Sequence, residues 1–177
     1  MALKNMIVAS LICFMHCGYT EAKLLEAKGV DAKTTEHIVQ EHVLEHNFLL
    51  KDTAGKKHQL FDYKGKWVIV NYWATWCPPC LEEVPDLVSF YDKHKDKDAV
   101  VIGVVLDYKD AKEVAAYVDD MLMSYPIVLG DDAVTSQIGP ADVLPTSFIY
   151  NPQGKLVKTK RGKVTKEYLE KMISQKQ

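Results

Sequence analysis

Short apolar runs alternate with amphipathic stretches along most of this chain. Residues 67–73 and 99–106 are apolar at nearly every position, with Asn71 as the polar exception in the first run. Such runs are typical of central strands that are buried on both faces of a sheet. The amphipathic stretches repeat their apolar residues at helical spacing, and Gly, Pro, Asn and Asp mark the turns between the elements.

The order of these patterns predicts the fold class. A hairpin is followed by strand, helix, strand, helix, strand, short helix, two strands and a closing helix, which predicts an α/β protein with a mixed central sheet flanked by helices. Pro85 is expected to kink the first helix. The predicted elements are the hairpin 48–61, the strands 67–73, 99–106, 126–129, 143–150 and 155–160, and the helices 77–95, 111–122, 131–138 and 165–175.

Residues 1–22 have the pattern of an export signal. Lys4 supplies a positive charge, and the apolar core at 6–15 is shorter than the roughly 20 residues of a membrane span. Cleavage is expected after Ala22, which predicts a periplasmic or otherwise extracytoplasmic protein. Lipid attachment at Cys17 is not favoured, because bulky residues precede it.

Residues 23–46 are predicted to form a separate N-terminal helical extension. Their apolar positions recur at helical spacing, which suits packing against the domain, a partner or a second copy of the chain. His42 and His46 belong to an H-x-x-E-H string that some metallopeptidases use. A solvated amphipathic helix is the favoured interpretation, because no further acidic ligand or peptidase motif follows.

The remaining residues, 47–177, suit one globular domain. A hydrophobic content of 47% is sufficient for a normal core, and the chain has no internal repeats. The net charge of −2 and the absence of a basic cluster with interleaved aromatic residues give no indication of nucleic-acid binding. If the signal is removed, Cys77 and Cys80 are the only cysteines left, so no framework of stabilising disulfides is expected.

Cys77 and Cys80 form a C-x-x-C motif between a predicted buried strand and a predicted helix. At this position Cys77 faces the positive end of the helix dipole, which favours its reactive thiolate. Cys80 lies about one helical turn further on, where it can attack a mixed disulfide formed by Cys77. The motif therefore predicts thiol–disulfide exchange, with no cofactor and no bound metal.

Other interpretations of the motif are weaker. Zinc usually requires four Cys or His ligands, and a disulfide across three residues closes too small a loop to stabilise much. A peroxidase is not favoured, because Thr75 lies two residues before Cys77 instead of three. Two alternatives stay open: a dithiol oxidant or disulfide isomerase, and a metal-binding or copper-delivery module that uses both cysteines and the histidines within 37–46.

Several separated motifs resemble the exported thioredoxin-like proteins of the TlpA, ResA and CcmG group. They are Trp-Ala-Thr-Trp-Cys-Pro-Pro-Cys at 73–80, Glu-Val-Pro at 83–85, Phe-Leu-Leu-Lys-Asp at 48–52 and the stretch from Leu-Pro-Thr to Gln-Gly-Lys at 144–155. The resemblance spans about residues 47–170. It implies a thioredoxin fold with a helical insertion at roughly 108–125 and a cis peptide bond before Pro145.

The resemblance also implies a substrate groove and a set of partners. The groove would be shaped by Trp76, Pro78, Leu144, Pro145 and Thr146, where the backbone of residue 144 is expected to pair with a substrate strand. The expected partners are proteins that carry thiols or disulfides, together with a membrane-bound thiol reductant. Cytochrome c maturation is one pathway that the resemblance suggests.

One departure from ordinary thioredoxins concerns proton transfer. Six residues before the first cysteine they carry a buried aspartate, where this chain has Asn71, which cannot accept a proton. The expected proton acceptor for Cys80 is therefore Glu83, Asp107 or water.

Overall fold

A computed structural model describes residues 47–140 and 142–174 of the chain. The expectations for the signal at 1–22 and for the extension at 23–46 lie outside these residues. The elements follow the predicted order, so the α/β fold class is confirmed. The strands are β1 Leu49–Lys51, β2 Lys57–Gln59, β3 Trp67–Trp73, β4 Ala99–Val105, β5 Ile127–Leu129, β6 Thr146–Tyr150 and β7 Leu156–Arg161; the helices are α1 Pro78–His94, α2 Ala111–Asp120, α3 Asp132–Ile138 and α4 Lys166–Ser174.

The central sheet has five strands in the order β5-β4-β3-β6-β7. Strands β3, β4 and β5 are parallel, whereas β6 and β7 are antiparallel to their neighbours. Strands β1 and β2 form a separate antiparallel hairpin, followed by a short 3₁₀ helix at Leu60–Tyr63. This order makes β3 the central strand, and β3 leads directly into the C-x-x-C motif.

Apolar side chains pack on both faces of the sheet. Ile69 and Trp73 of β3 belong to a cluster that includes Leu169 of α4, whereas Val70 and Tyr72 belong to a second cluster on the other face. All seven residues of β3 are buried, as are all seven of β4. The uninterrupted apolar runs in the sequence therefore correspond to strands that are covered on both sides.

Gly103 allows close packing in the middle of β4. A Cβ atom at this position would lie 2.9 Å from Ile127 Cδ1 and 2.9 Å from Tyr125 Cε2, and 3.2 Å from Trp73 Nε1. Glycine in a strand interior often marks such a close approach. The missing side chain leaves room for the Trp73 indole beneath the site.

Most element boundaries differ from the predictions by one or two residues, and one strand differs by more. The strand expected at 143–150 begins only at Thr146, because residues 143–145 form the loop that contains Pro145. Helix α1 continues as one element through Pro85 and ends at His94, close to the predicted end at residue 95. Within the described residues, no helix combines the length and the apolar character needed to cross a membrane.

Candidate active site

Cys77 and Cys80 lie where β3 ends and α1 begins, and they form a disulfide with a Cα–Cα distance of 5.3 Å. Cys77 occupies the N-cap position of α1, and its carbonyl accepts hydrogen bonds from the backbone N–H groups of Cys80 and Leu81. Pro78 and Pro79 fill the first helical positions, where a missing N–H group costs little. The structure therefore brings the two cysteines together as the motif predicted.

Both cysteines are buried in this disulfide form. Cys77 is 3% exposed and Cys80 is 0% exposed. For the reduced protein, Cys77 is still predicted to be the more exposed of the two thiols. Trp76, Pro78 and Pro79 are exposed around the pair and form an apolar surface on the outside of the motif.

The exposed Trp76 side chain is hydrogen-bonded to a residue in the loop that follows β4. Its Nε1–H donates a 3.0 Å hydrogen bond to the backbone carbonyl of Asp107, which follows β4. Asp107 has a φ of 50°, in the left-handed region that aspartate tolerates better than most residues. The indole is thus fixed beside the disulfide although 58% of Trp76 is exposed.

Helix α2, within the predicted insertion, also contacts the motif. Its residue Glu113 accepts a hydrogen bond from the backbone N–H of Lys109 and a longer one, of 3.5 Å, from Thr75 Oγ1. Thr75 is buried two residues before Cys77. Nothing in the sequence pattern had indicated that Glu113 belongs near the site.

The loop before β6 forms the other predicted side of the groove. The Leu144–Pro145 peptide bond is cis, as the resemblance implied. The Pro145 carbonyl accepts a 2.8 Å hydrogen bond from Gly162 N, and the Val143 carbonyl accepts one of 2.6 Å from Thr146 Oγ1. Leu144 packs against the apolar cluster that contains both cysteines.

Glu83 is a buried carboxyl group one helical turn after Cys80. Its Oε1 accepts a 2.7 Å hydrogen bond from Asn71 Nδ2, and its Oε2 accepts one of 2.8 Å from Val164 N. Burial raises the pKa of the Glu83 carboxyl from 4.5 to about 7, and these two hydrogen bonds only partly oppose that effect. Glu83 therefore holds and releases a proton near neutral pH.

Asn71, Ser147 and Val164 support Glu83 from three different elements. Besides Glu83, the Asn71 amide donates a 3.1 Å hydrogen bond to Ser147 Oγ on β6. The charge of Glu83 contributes, after burial, to a raised pKa of Tyr125. Sequence patterns had singled out Asn71 and Glu83 but not Ser147 or Val164, because only the folded register brings these residues to the carboxyl group.

Asp107 has a different environment from Glu83. Its backbone carbonyl binds Trp76, and the residue lines an open cavity of about 680 Å³ together with Asp131, Asp132 and Thr135. Asp107 itself is exposed. Of the two acidic candidates for proton transfer, only Glu83 lies in the buried interior behind the cysteines.

Among the described residues, no group of three or more His, Cys, Asp or Glu side chains is arranged to hold a metal ion. The histidines within 37–46 lie outside these residues, so their proposed part in metal binding stays a prediction.

Comparisons with known proteins agree with the geometry of the site. Residues 44–159 match the model of the AhpC/TSA family. The thiol–disulfide oxidoreductase ResA of Bacillus anthracis is 39% identical over 127 residues, which cover 70% of this chain and 71% of ResA. The crystal structure of StoA from Bacillus subtilis superimposes with a TM-score of 0.62 at 31% identity, covering 71% of this chain and 94% of StoA. The exposed lipoprotein thioredoxin Etrx1 of Streptococcus pneumoniae gives a TM-score of 0.63 at 28% identity, covering 72% and 97%.

The chain belongs to the AhpC/TSA family, and its fold is that of thioredoxin. Within that class it is a ResA-like thiol–disulfide oxidoreductase, as the C-x-x-C motif predicted. Its substrates are accordingly protein thiols and disulfides.

Proposed function

We propose that the protein reduces disulfides in partner proteins outside the cytoplasm, with Cys77 as the attacking thiolate and Cys80 as the resolving thiol. The observation that carries this proposal is the position of the Cys77–Cys80 disulfide, one helical turn from a buried carboxyl group, Glu83, with a pKa of about 7. A redox pair and a group that exchanges protons near neutral pH are the two components that disulfide reduction needs.

The first step starts from the reduced enzyme. The Cys77 thiolate attacks one sulfur of the substrate disulfide, a new sulfur–sulfur bond joins enzyme and substrate, and the other substrate sulfur leaves as a thiolate that takes up a proton. Trp76 on one side and Leu144 with Pro145 on the other would hold the substrate segment. The peptide groups of Leu144 are proposed to pair with that segment, since the carbonyls of Val143 and Pro145 already accept hydrogen bonds.

The second step releases the product. Glu83 accepts the proton of the Cys80 thiol, and the resulting thiolate attacks Cys77 to form the Cys77–Cys80 disulfide. The remaining substrate sulfur leaves and is protonated, so two electrons have passed from the enzyme dithiol to the substrate. The disulfide form described above is the product of this step.

The direction of electron flow is argued from the start of α1. Pro78 and Pro79 have no N–H groups, so the Cys77 sulfur has fewer nearby donors than most helix N-termini would supply. The helix dipole still favours the thiolate, but fewer donors argue against the extreme stabilisation of a strong oxidant. A dithiol oxidant or isomerase remains the alternative, and equilibration with glutathione distinguishes the two. A reductase is expected near the lower end of the range from about −270 to about −120 mV, and an oxidant near the upper end.

Export and a supply of electrons complete the proposal. The N-terminal pattern at 1–22 supports an extracytoplasmic location, and Etrx1 is by its name an exposed lipoprotein. In such an oxidising compartment a membrane-bound thiol reductant would have to regenerate the dithiol. Cytochrome c maturation is proposed as the pathway on the resemblance to ResA and CcmG alone. Loss of c-type cytochromes in a deletion strain, restored by added dithiol, is the expected test result.

Trapping tests the assignment of the two cysteines. A Cys80→Ala variant, reduced and then mixed with a disulfide-containing protein such as insulin, should accumulate a covalent mixed disulfide through Cys77. The matched Cys77→Ala variant should accumulate none. An adduct that forms only in the Cys77→Ala variant would reverse the roles of the two residues.

A further inference from the structure

Cationic side chains are concentrated on β7, on α4 and in the loop between them. Residues 155–171, called here the β7–α4 face, carry seven cationic and two acidic side chains in a chain whose net charge is −2. The face thus has a net charge of +5, and the rest of the chain has a net charge of −7. The cationic residues of the face are Lys155, Lys158, Lys160, Arg161, Lys163, Lys166 and Lys171.

Two of these lysines flank an apolar depression between the strand and the helix. Lys158 and Lys171 line a cavity of about 440 Å³ together with Tyr168 and Met172. Both lysines are exposed, and neither forms an ion pair with another residue in the described part of the chain. Leu156, at the start of β7, adds a further exposed apolar side chain.

The acidic residues of the face are Glu167 and Glu170, and neither forms an ion pair with Lys158 or Lys171 in the described part of the chain. Glu170 binds Lys93 of α1 at 2.7 Å, so its charge is balanced by a cation from outside the face. Arg161, the last residue of β7, is paired with Asp142, and Lys163, in the loop that follows, is paired with Glu82. Lys158 and Lys171, like Lys155, Lys160 and Lys166, therefore have no acidic partner in the described part of the chain.

Protection of a sheet edge explains only part of this arrangement. β7 is an edge strand, and lysines on such a strand discourage pairing with other chains. Lys171, however, lies on α4, which presents no strand edge. The combination of free ammonium groups with a tyrosine, a methionine and an exposed leucine is instead typical of surfaces that contact the interface of an anionic membrane.

We propose that the β7–α4 face binds the surface of an anionic lipid bilayer, with lipid phosphates at Lys158 and Lys171 and with Tyr168 and Met172 against the headgroup region. The proposal rests on the extracytoplasmic location proposed above. β7 is two strands away from β3 in the sheet, so the Cys77 end of β3 stays free for substrates. Docking would keep the enzyme beside a membrane-bound reductant.

Acylation of lysines tests which face lies on the membrane. The full chain would be labelled with an amine-reactive ester, alone or with vesicles of phosphatidylglycerol or of phosphatidylcholine, and each lysine followed by mass spectrometry. We expect phosphatidylglycerol alone to slow labelling of Lys158 and Lys171 by about fivefold, with Lys109 and Lys112 unaffected and the effect lost at high salt. Equal labelling of all four lysines in the presence of phosphatidylglycerol vesicles would overturn the proposal. Protection of Lys158 and Lys171 by soluble polyglutamate, with no protection by vesicles, would also overturn it.

A pair of matched variants provides a second test. Lys158→Gln with Lys171→Gln and Lys109→Gln with Lys112→Gln change the net charge equally, and only the first alters the face. The measured quantity is the ratio of the affinity for phosphatidylglycerol vesicles to the affinity for phosphatidylcholine vesicles. The apolar residues 6–15 are expected to contribute equally to both affinities, so their contribution cancels in the ratio. The first variant should lower this affinity ratio about tenfold, and the second variant should leave it unchanged. An equal fall of the affinity ratio in both variants would overturn the proposal. The rate at which both variants reduce insulin tests the redox proposal separately.

Discussion

Asn71 donates a 2.7 Å hydrogen bond from its side-chain amide to Glu83 in the interior of the protein. The amide therefore binds the carboxyl group at the position where ordinary thioredoxins carry an acid of their own. Val164 N donates to the other oxygen, and Glu83 forms no ion pair with a described residue. Neutral donors stabilise a carboxylate less than a cation in contact does, so the Glu83 pKa stays raised, at about 7.

Replacing Glu83 by Gln should slow the resolution of mixed disulfides. Proton transfer by a positioned side chain contributes roughly a hundredfold or more, so the rate at neutral pH should fall by about that factor. The rate of the unaltered enzyme should rise with pH around a midpoint near the Glu83 pKa of about 7, and the variant should lack this midpoint. Stopped-flow kinetics measures both effects. Glu82→Gln is the matched control, because Glu82 is an exposed acid paired with Lys163.

The raised Glu83 pKa also predicts how stability changes with pH. Below the ordinary pKa of 4.5 the carboxyl is protonated in both the folded and the unfolded protein. Between 4.5 and about 7 only the unfolded protein releases the proton, so the free energy of unfolding should fall as pH rises, by an amount on the order of 3 kcal/mol. Urea titrations of the oxidised protein should show this slope, and Glu83→Gln should abolish it. A slope that persists in the variant would assign it to another group.

Trp76→Phe should weaken the binding of protein substrates. The change keeps an aromatic ring but removes the Nε1–H that binds the Asp107 carbonyl, a hydrogen bond whose net contribution is about 1 kcal/mol. A less firmly held ring should raise the KM for a protein disulfide about fivefold and leave the reduction of a small disulfide unchanged. Steady-state kinetics with both substrates provides the comparison. An equal effect on both substrates would mean that Trp76 acts on the cysteines themselves.

Alkylation of the reduced protein should identify the reactive thiol. At mildly acidic pH, limited iodoacetamide is expected to modify Cys77 before Cys80, because Cys77 is the N-cap residue of α1 and faces its dipole. Peptide mass spectrometry gives the order of modification. Faster modification of Cys80 would reverse the two assignments.

Removal of residues 23–46 should leave the chemistry intact. The deletion variant is expected to reduce a small disulfide at nearly the rate of the protein cleaved after Ala22, because the two cysteines and Glu83 all lie within 47–174. Its solution mass or its choice of partner should change if the segment serves assembly. A large loss of activity in a folded deletion variant would assign the segment, with its histidines, to the active site.

Local sequence patterns were sufficient to predict most elements of the fold. The run at 67–73, the C-x-x-C motif and the prolines of α1 are signals within a few residues, so the position of the disulfide followed directly from them. The start of β6 was predicted three residues too early, because apolar character continues through Val143 and Leu144 although neither belongs to the strand.

The chemical environment of the site depends on contacts that no local pattern encodes. Ser147 reaches Asn71 because β3 and β6 pair in one register, in which Asn71 is directly opposite Ser147. Sequence alone named Glu83 and Asp107 as equal candidates, and burial separates them. The charge on residues 155–171 was likewise concealed by the overall value of −2.

The hydrogen bond from Val164 to Glu83 links the redox site to nearly the last part of the chain. The two residues are 81 positions apart, and Val164 precedes the closing helix α4. A chain that is exported from its N-terminus exposes Cys77 and Cys80 well before Val164 emerges. During that interval Glu83 lacks its hydrogen bond from Val164 N, so the proposed proton transfer from Cys80 would be incomplete. If the chain is exported as proposed, full activity would require that translocation and folding are both complete.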